Sequence, residues 1–303
     1  MVLKQRQGDI KSKENQKEGV VLEGILYEER GYLYSQYKLF HIADRAETNL
    51  EYHYHAFDKI ILFLSGNVTY MIEGKAYQLA PGDILLVRHH DIHKPIITPD
   101  IPYERFVLWI LPEFLERYRQ EGVDLAECFL RTKESGNALV RVSLEEQAVL
   151  KRLLAEAEEM QKKEMFAGEL YETTLILQFF IRLNHLVRSQ PDKMEAAVSY
   201  NPRIIEILTY INANLEKNLS VEQLSERFYI SRYHLMRVFK EETGYTLHNY
   251  IQKKRLFCAA DLIREGMPAT QACFECGFAD YSTFQRAFKA SFDCSPASMK
   301  KKA

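Results

Sequence analysis

The side chains best suited to chemistry fall in a few places. In the first third, His53-Tyr54-His55 lies just ahead of Lys59, and Arg88-His89-His90-Asp91-Ile92-His93 adds three histidines and a second cation. Neutral imidazole ligates zinc or iron and also bonds polar small molecules. Near the C-terminus, Cys273-Phe274-Glu275-Cys276 has the spacing of a metal or redox pair. A metal there needs two further ligands at suitable spacing. The simpler reading is two small residues packing one face of a helix.

The elements around these residues change character along the chain. From Val20 to about Ile110 there are short runs rich in β-branched and aromatic residues: Tyr32–Tyr34, Lys59–Leu64, Val68–Ile72, Ile84–Val87 and Arg105–Ile110. Ser65-Gly66-Asn67, Glu73-Gly74-Lys75 and Ala80-Pro81-Gly82-Asp83 punctuate them as turns. Short strands at this spacing predict an antiparallel sandwich or barrel. From Pro112 onward the pattern is helical. Ser143-Leu144-Glu145-Glu146 reads as a capping box ahead of Leu150, Leu153, Leu154 and Ala157. A second apolar helix runs from about Glu169 to Val187, with Gly168 at the break.

Composition narrows the class. The 303 residues suit two or three domains, and 47% hydrophobic with 27% charged residues describes a folded chain. No run of about 18 apolar residues suggests a membrane span. Met1–Gly19, rich in Lys, Glu and Gln, reads as a flexible leader. Five cysteines without an export signal point to a reducing cytosol, so the expected location is cytoplasmic. The net charge of -2 says little about nucleic acid until it is divided. Residues 201–303 hold 15 Lys+Arg against 11 Asp+Glu, a net of +4, which leaves -6 for residues 1–200. The boundary falls near 190–201, at Ser189–Lys193 and the helix start Asn201-Pro202.

The C-terminal block repeats itself. Leu235-Met236-Arg237-Val238-Phe239-Lys240 recurs as Phe284-Gln285-Arg286-Ala287-Phe288-Lys289, offset by 49 residues. Each copy reads helix, short turn, helix. Ser220 and Ser231 cap the helices of the first copy; Gly277 sits in the second turn and Asp280 caps the helix after it. A helix from about Leu247 to Arg264 joins the copies. About 18 residues span roughly 27 Å. Successive major-groove faces of DNA are about 34 Å apart, so two such units fit adjacent turns of a duplex, with some bending.

Asp280–Lys289, preceded by Gly277-Phe278 and followed by Ser295-Pro296, closely resembles the C-terminal signature of AraC/XylS-type transcription regulators. The resemblance covers about the last 100 residues. Asp293 stands where that family usually has Gly, with little effect expected, and Lys300 where it has Arg. The resemblance implies that exposed positions on each second helix meet DNA: Arg232, Tyr233, Met236 and Arg237 in the first, Tyr281, Ser282, Gln285 and Arg286 in the second. Lys240 and Lys289 would bind phosphate, and His234 either phosphate or base. Arg suits guanine, Gln suits adenine, and aromatic rings suit thymine methyls. Solvated surface residues are the plain alternative, and Arg237 and Arg286 could clamp phosphate or pair within the chain.

The N-terminal block is similar to the two halves of a cupin barrel. His53, His55 and His93 fall on the three histidine positions of metal cupins, but Lys59 occupies the acid position, where a cation opposes a divalent ion. Three readings stand. The histidines, with Lys59, Arg88 and Trp109, bind a small polar effector; they hold a metal; or they satisfy loop backbone groups. The helices over about 143–187 would, by resemblance, dimerise, the alternative being packing onto the barrel in cis.

The expected fold class is multi-domain: an N-terminal antiparallel β cupin-like barrel plus helices, then an all-α double helix-turn-helix. The expected organisation is a leader (1–19), an effector-sensing barrel (20–111), a helical dimerisation region (112–190), a linker (191–201) and a DNA-binding domain (202–303). The expected function is sequence-specific transcription regulation controlled by a small-molecule effector of unknown identity. The expected partners are promoter DNA, the effector, a second copy of the chain and RNA polymerase, with no membrane. No catalytic residue, cofactor or bound metal is expected. The rival is a metal-dependent cupin enzyme carrying a DNA-binding tail.

Overall fold

The computed structural model describes residues 33, 35–44, 52–98, 101–189, 194–195 and 201–299. The leader expected over residues 1–19 lies outside the described residues, as does most of the linker expected over 191–201.

Strands β1 (Tyr37–Asp44), β2 (Asp58–Ser65), β3 (Asn67–Ile72), β4 (Lys75–Gln78), β5 (Ile84–Val87), β6 (His93–Thr98) and β7 (Tyr103–Ile110) come first. Two short strands follow, β8 (Leu139–Val140) and β9 (Met194–Glu195). They form a six-stranded sheet in the order β1-β7-β2-β5-β8-β9 and a three-stranded sheet in the order β4-β3-β6. Every named pairing is antiparallel. Among the described residues the first strand begins at Tyr37; Tyr32 and Tyr34, the ends of the run expected as a strand, lie outside them. The β3–β4 hairpin turns on Glu73 and Gly74, with φ of 48° and 75°. Positive φ at both central residues is the type I′ geometry that matches strand twist.

The large sheet is buried on both faces. Ile60 and Leu62 of β2, Ile84 and Leu86 of β5, and Phe106, Leu108 and Ile110 of β7 join one core. The alternate residues Ile61, Phe63, Leu85, Val87 and Val107 join a second core with Val68, Tyr70 and Ile72 of the small sheet. Side chains alternate across a strand, so a strand buried on both sides reads as a continuous apolar run.

Helices α1 (Pro112–Glu116), α2 (Glu127–Ser135), α3 (Leu144–Met160) and α4 (Gly168–Ser189) cover the outer face. Ser143 caps α3 by accepting from the Glu146 N–H. Leu150, Leu153, Leu154 and Ala157 of α3 and Leu175, Ile176, Phe179, Phe180 and Leu183 of α4 pack on the sheet. The buried faces of these helices are therefore spent in cis.

The rest is helical: α5 (Pro202–Asn212), α6 (Val221–Arg227), α7 (Arg232–Thr243), α8 (Leu247–Arg264), α9 (Ala269–Glu275) and α10 (Tyr281–Phe292). Side-chain oxygens of Asn201, Ser220, Ser231, Thr246 and Asp280 each accept an N–H in the first turn of α5, α6, α7, α8 and α10. Two cores flank the rod α8. One joins α5, α6 and α7 to its first half, and the other joins α9 and α10 to its second. Among the described residues no helix is long and apolar enough to cross a membrane.

The repeat is tighter than one offset suggests. α7 and α10 are 49 residues apart, whereas α6 and α9 are 48 apart. The second turn therefore holds one extra residue. Its left-handed position is Gly277 (φ 83°), and Tyr229 takes that conformation in the first (φ 49°). A Cβ on Gly277 would lie 2.4 Å from the Leu215 carbonyl oxygen.

Candidate functional site

On α7, Arg232, Tyr233, His234, Met236, Arg237 and Lys240 are exposed, while Leu235, Val238 and Phe239 turn inward. On α10, Ser282, Gln285, Arg286 and Lys289 are exposed, and Tyr281 is half-buried against Phe284. Exposed Thr283, missed in the sequence, shares this surface. Each second helix thus presents a polar face on an apolar base, as entry into a groove requires. Three arginines differ in their engagement. Arg237 pairs with Glu241 at 2.8 Å, and Arg232 meets Glu222 at 3.2 Å. Arg286 reaches back to the Ser282 carbonyl oxygen and the Thr283 hydroxyl.

Within the sheets, His53, His55 and His93 come together. Their ligand nitrogens lie within 4.8 Å of one another and all three side chains are buried. Backbone bonds fix the meeting: His53 N donates to the His93 carbonyl at 3.0 Å, and His93 N to that of His53 at 2.9 Å. Lys59 points into the same space and donates to the Tyr70 hydroxyl at 3.0 Å. Burial, then the Arg105 charge, pulls its ammonium down to about 7. His93 is held well below the usual histidine range by burial, then by Lys59, His53 and His55, so it is neutral. Trp109 stacks on Phe57, with ring centroids 4.6 Å apart. His93 Nε2 and Trp109 Nε1 are buried without a hydrogen-bond partner. Orphaned buried polar atoms are rare in folded proteins and mark a place for a further group.

The three-histidine donor set suits a divalent transition ion, and Lys59 beside it favours an anionic or polar molecule. Arg88 is less available: its guanidinium bonds Asp91 at 2.8 and 3.1 Å. Two surface clefts of about 510 and 450 Å³ lie elsewhere, lined by residues such as Tyr210 and Arg227 and by Leu125 and His185.

The segment carrying His53 and His55 has a second face. Tyr52 Oη donates to the Glu242 carbonyl at the end of α7, at 2.7 Å. Tyr54 lies against Phe257 of α8, with centroids 4.8 Å apart. Alternation along Tyr52-His53-Tyr54-His55 thus sends imidazoles into the sheets and phenols onto the helices. Other contacts extend this junction. Gly74 abuts Leu208, and Glu73 accepts bonds from Lys254 Nζ (2.7 Å), the Ile92 N–H (2.7 Å) and the Tyr250 hydroxyl. Lys254 Nζ also donates to the His90 carbonyl at 3.1 Å. The His90 ring stacks on Phe257 at 4.1 Å, and His89 bonds the buried Asp58 at 2.7 Å. Burial pushes His89 down, but Asp58 and Asp261 outweigh it and raise its imidazole to about 10. Sequence reasoning missed this junction, because nothing in Glu73, His89, His90 or Asp261 taken singly marks a partner about 170 residues away.

A two-sheet domain with buried, unsatisfied polar groups, joined to paired helix-turn-helix units, defines a ligand-binding DNA regulator. The family description "AraC-like ligand binding domain" matches residues 37–180, and "Helix-turn-helix domain" matches residues 224–302. The chain belongs to the AraC-type family of transcription regulators. It is a DNA-binding regulator with an effector-binding domain, and the enzyme alternative is not supported. Among its relatives, the HTH-type transcriptional activator RhaS of Citrobacter koseri is 25% identical over 253 residues, covering 80% of this chain and 85% of the relative. Among solved structures, the C-terminal domain of the response regulator AraT from Geobacillus stearothermophilus is 25% identical over 33% of this chain and 84% of its own, with a TM-score of 0.32. ToxT from Vibrio cholerae is 14% identical over 87% of this chain and 96% of its own, with a TM-score of 0.34.

Proposed function

We propose that a small polar or anionic effector binds among His53, His55, Lys59, His93 and Trp109, and that its occupancy biases how α7 and α8 are held. Arg88 joins the ligand only if Asp91 releases its guanidinium. The observation that carries the reading is the alternation Tyr52-His53-Tyr54-His55, which places candidate effector contacts and reader contacts on opposite faces of one segment. A ligand that shifts this segment shifts the population of reader placements.

Arg232, Tyr233, His234, Met236, Arg237 and Lys240 meet one major groove, and Tyr281, Ser282, Gln285, Arg286 and Lys289 the next. Arg286 and Gln285 read base edges; Lys240 and Lys289 hold phosphate. The domains divide at 20–111, 112–190 and 202–303, with a cupin-like sensor first. The protein acts in the cytoplasm, as a homodimer and without catalysis. Leu170 and Ile181 on α4, 65% and 56% exposed, offer an apolar stripe for the second copy. The relatives are named as activators, and activation through RNA polymerase is the sense we propose here.

A thermal-shift screen against metabolites, followed by operator affinity with and without the hit, tests this reading. A hit that leaves operator affinity and promoter output unchanged contradicts it.

A further inference from the structure

We propose that His89, His90 and Asp261 form a site for one divalent transition ion of the zinc class, which staples the sensor sheets to the rod α8. His89 and His90 belong to the loop between β5 and β6; Asp261 belongs to α8. Their ligand atoms lie within 4.8 Å of one another. His89 Nε2 is 3.7 Å and His90 Nδ1 3.8 Å from Asp261 Oδ2. These separations exceed a hydrogen bond. Donors held about 2.0–2.2 Å from a tetrahedral ion lie about 3.3–3.6 Å apart, so a few tenths of an ångström of closure brings each imidazole to its distance from Asp261, and the two imidazole donors already lie within 4.8 Å of one another.

The surroundings are those of a metal site. Asp58, itself buried, accepts from His89 Nδ1 at 2.7 Å and from the His89 backbone N–H at 2.7 Å, which turns Nε2 outward. A carboxylate behind a ligating imidazole fixes its tautomer and raises its basicity, and the ion displaces the Nε2 proton to solvent on binding. Arg264 bonds Asp261 Oδ1 at 3.2 Å and leaves Oδ2 facing the imidazoles. His90 takes a left-handed φ of 66°, which brings two consecutive rings to one side. His90 is 5% exposed and its ring is clamped on Phe257, which holds Nδ1 on the side of Asp261. Two imidazoles and one carboxylate select zinc, cobalt or nickel over magnesium or calcium, which prefer oxygen. The two carboxylates, Asp58 and Asp261, offset part of the ion's charge, with Arg264 sharing Asp261, and the exposed edges of His89 and Asp261 leave water a fourth position.

This site is separate from the His53, His55 and His93 cluster, and its test does not depend on DNA or on an effector. The full chain, stripped by chelator, is titrated with zinc by calorimetry and with cobalt by visible absorption. Wild type should bind an equivalent that Asp261→Asn and His90→Ala lose and His93→Ala keeps, whether or not the His53, His55 and His93 cluster takes up a further one. Zinc should slow amide exchange along α8 in wild type and leave Asp261→Asn unchanged. Metal-free melting temperatures confirm that each variant is folded, and Asp261, with its side chain 38% exposed, tolerates Asn best. If wild type binds no zinc, or if Asp261→Asn binds as wild type does while His93→Ala fails, the proposal is overturned.

Discussion

Glu73 and Lys254 join the two halves of the chain. The hairpin-tip carboxylate accepts from the ammonium of the rod α8 at 2.7 Å, with side chains 14% and 10% exposed. A pair so shielded is expensive to break from one side, because the remaining charge stays buried. Glu73→Ala or Lys254→Met alone should lower unfolding stability by about 3–5 kcal/mol. The double variant should lose less than the two singles together, since each no longer strands its partner. Urea unfolding of all four proteins measures the coupling; strict additivity would remove the pair from the junction.

Lys59 gives a pH dependence with a definite sign. Burial first, and Arg105 second, hold its ammonium at about 7 against an ordinary 10.5. Between those values the unfolded chain carries a proton that the folded chain has released, so stability rises with pH across that window. Below about 7 the penalty of the buried cation is full. Lys59→Met should therefore be more stable than wild type by about 1–3 kcal/mol at pH 6, with the margin shrinking toward pH 10. Thermal unfolding across that range checks it, and a margin independent of pH would refute the assignment.

The turn residues of the two reader units differ in a testable way. Tyr229 holds φ 49° with its side chain 89% exposed, so it bears left-handed strain without contributing to the core. Tyr229→Gly should stabilise the chain by about 1 kcal/mol. Gly277→Ala should destabilise by more than about 1 kcal/mol, since the conformation and the Leu215 carbonyl both oppose a Cβ. Melting temperatures moving in the same direction for both variants would contradict this account of the turns.

On DNA, two substitutions on one helix should behave differently. Arg286→Ala should cost about 1–3 kcal/mol on a mapped operator and relax preference at one base pair. Lys289→Ala should weaken every sequence alike and reduce the salt slope by about one. Anisotropy titrations at two salt concentrations separate these outcomes, and wild-type binding by both variants would misplace α10.

Much of this was readable in the sequence where local rules decide. Asn201-Pro202, Ser220, Ser231 and Asp280 announce helix starts because the cap chemistry is contained within four residues. The runs at Lys59–Leu64 and Ile84–Val87 were legible as strands because both faces are buried. β6 was not: its His93-Lys94-Pro95 start carries a proline, tolerated because β6 is an edge of the small sheet. α2 was also missed, since its N-terminus is satisfied by Asn184 of α4, whose side-chain oxygen accepts from the Cys128 N–H at 2.7 Å. The departure at Asp293 has a visible meaning: it takes the left-handed φ of 53° that glycine adopts readily. The histidine cluster was foreseen as a set, but its coupling to α8 depends on tertiary contacts that no local pattern encodes.

The central claim is that Tyr52-His53-Tyr54-His55 carries the effector signal from the sheets to the reader. Its most direct test is the operator affinity of wild type and Tyr54→Ala, each with and without an effector identified by thermal shift. The account predicts that both proteins bind the effector, and that only wild type changes its operator affinity on doing so. An unchanged effector response in Tyr54→Ala would contradict it.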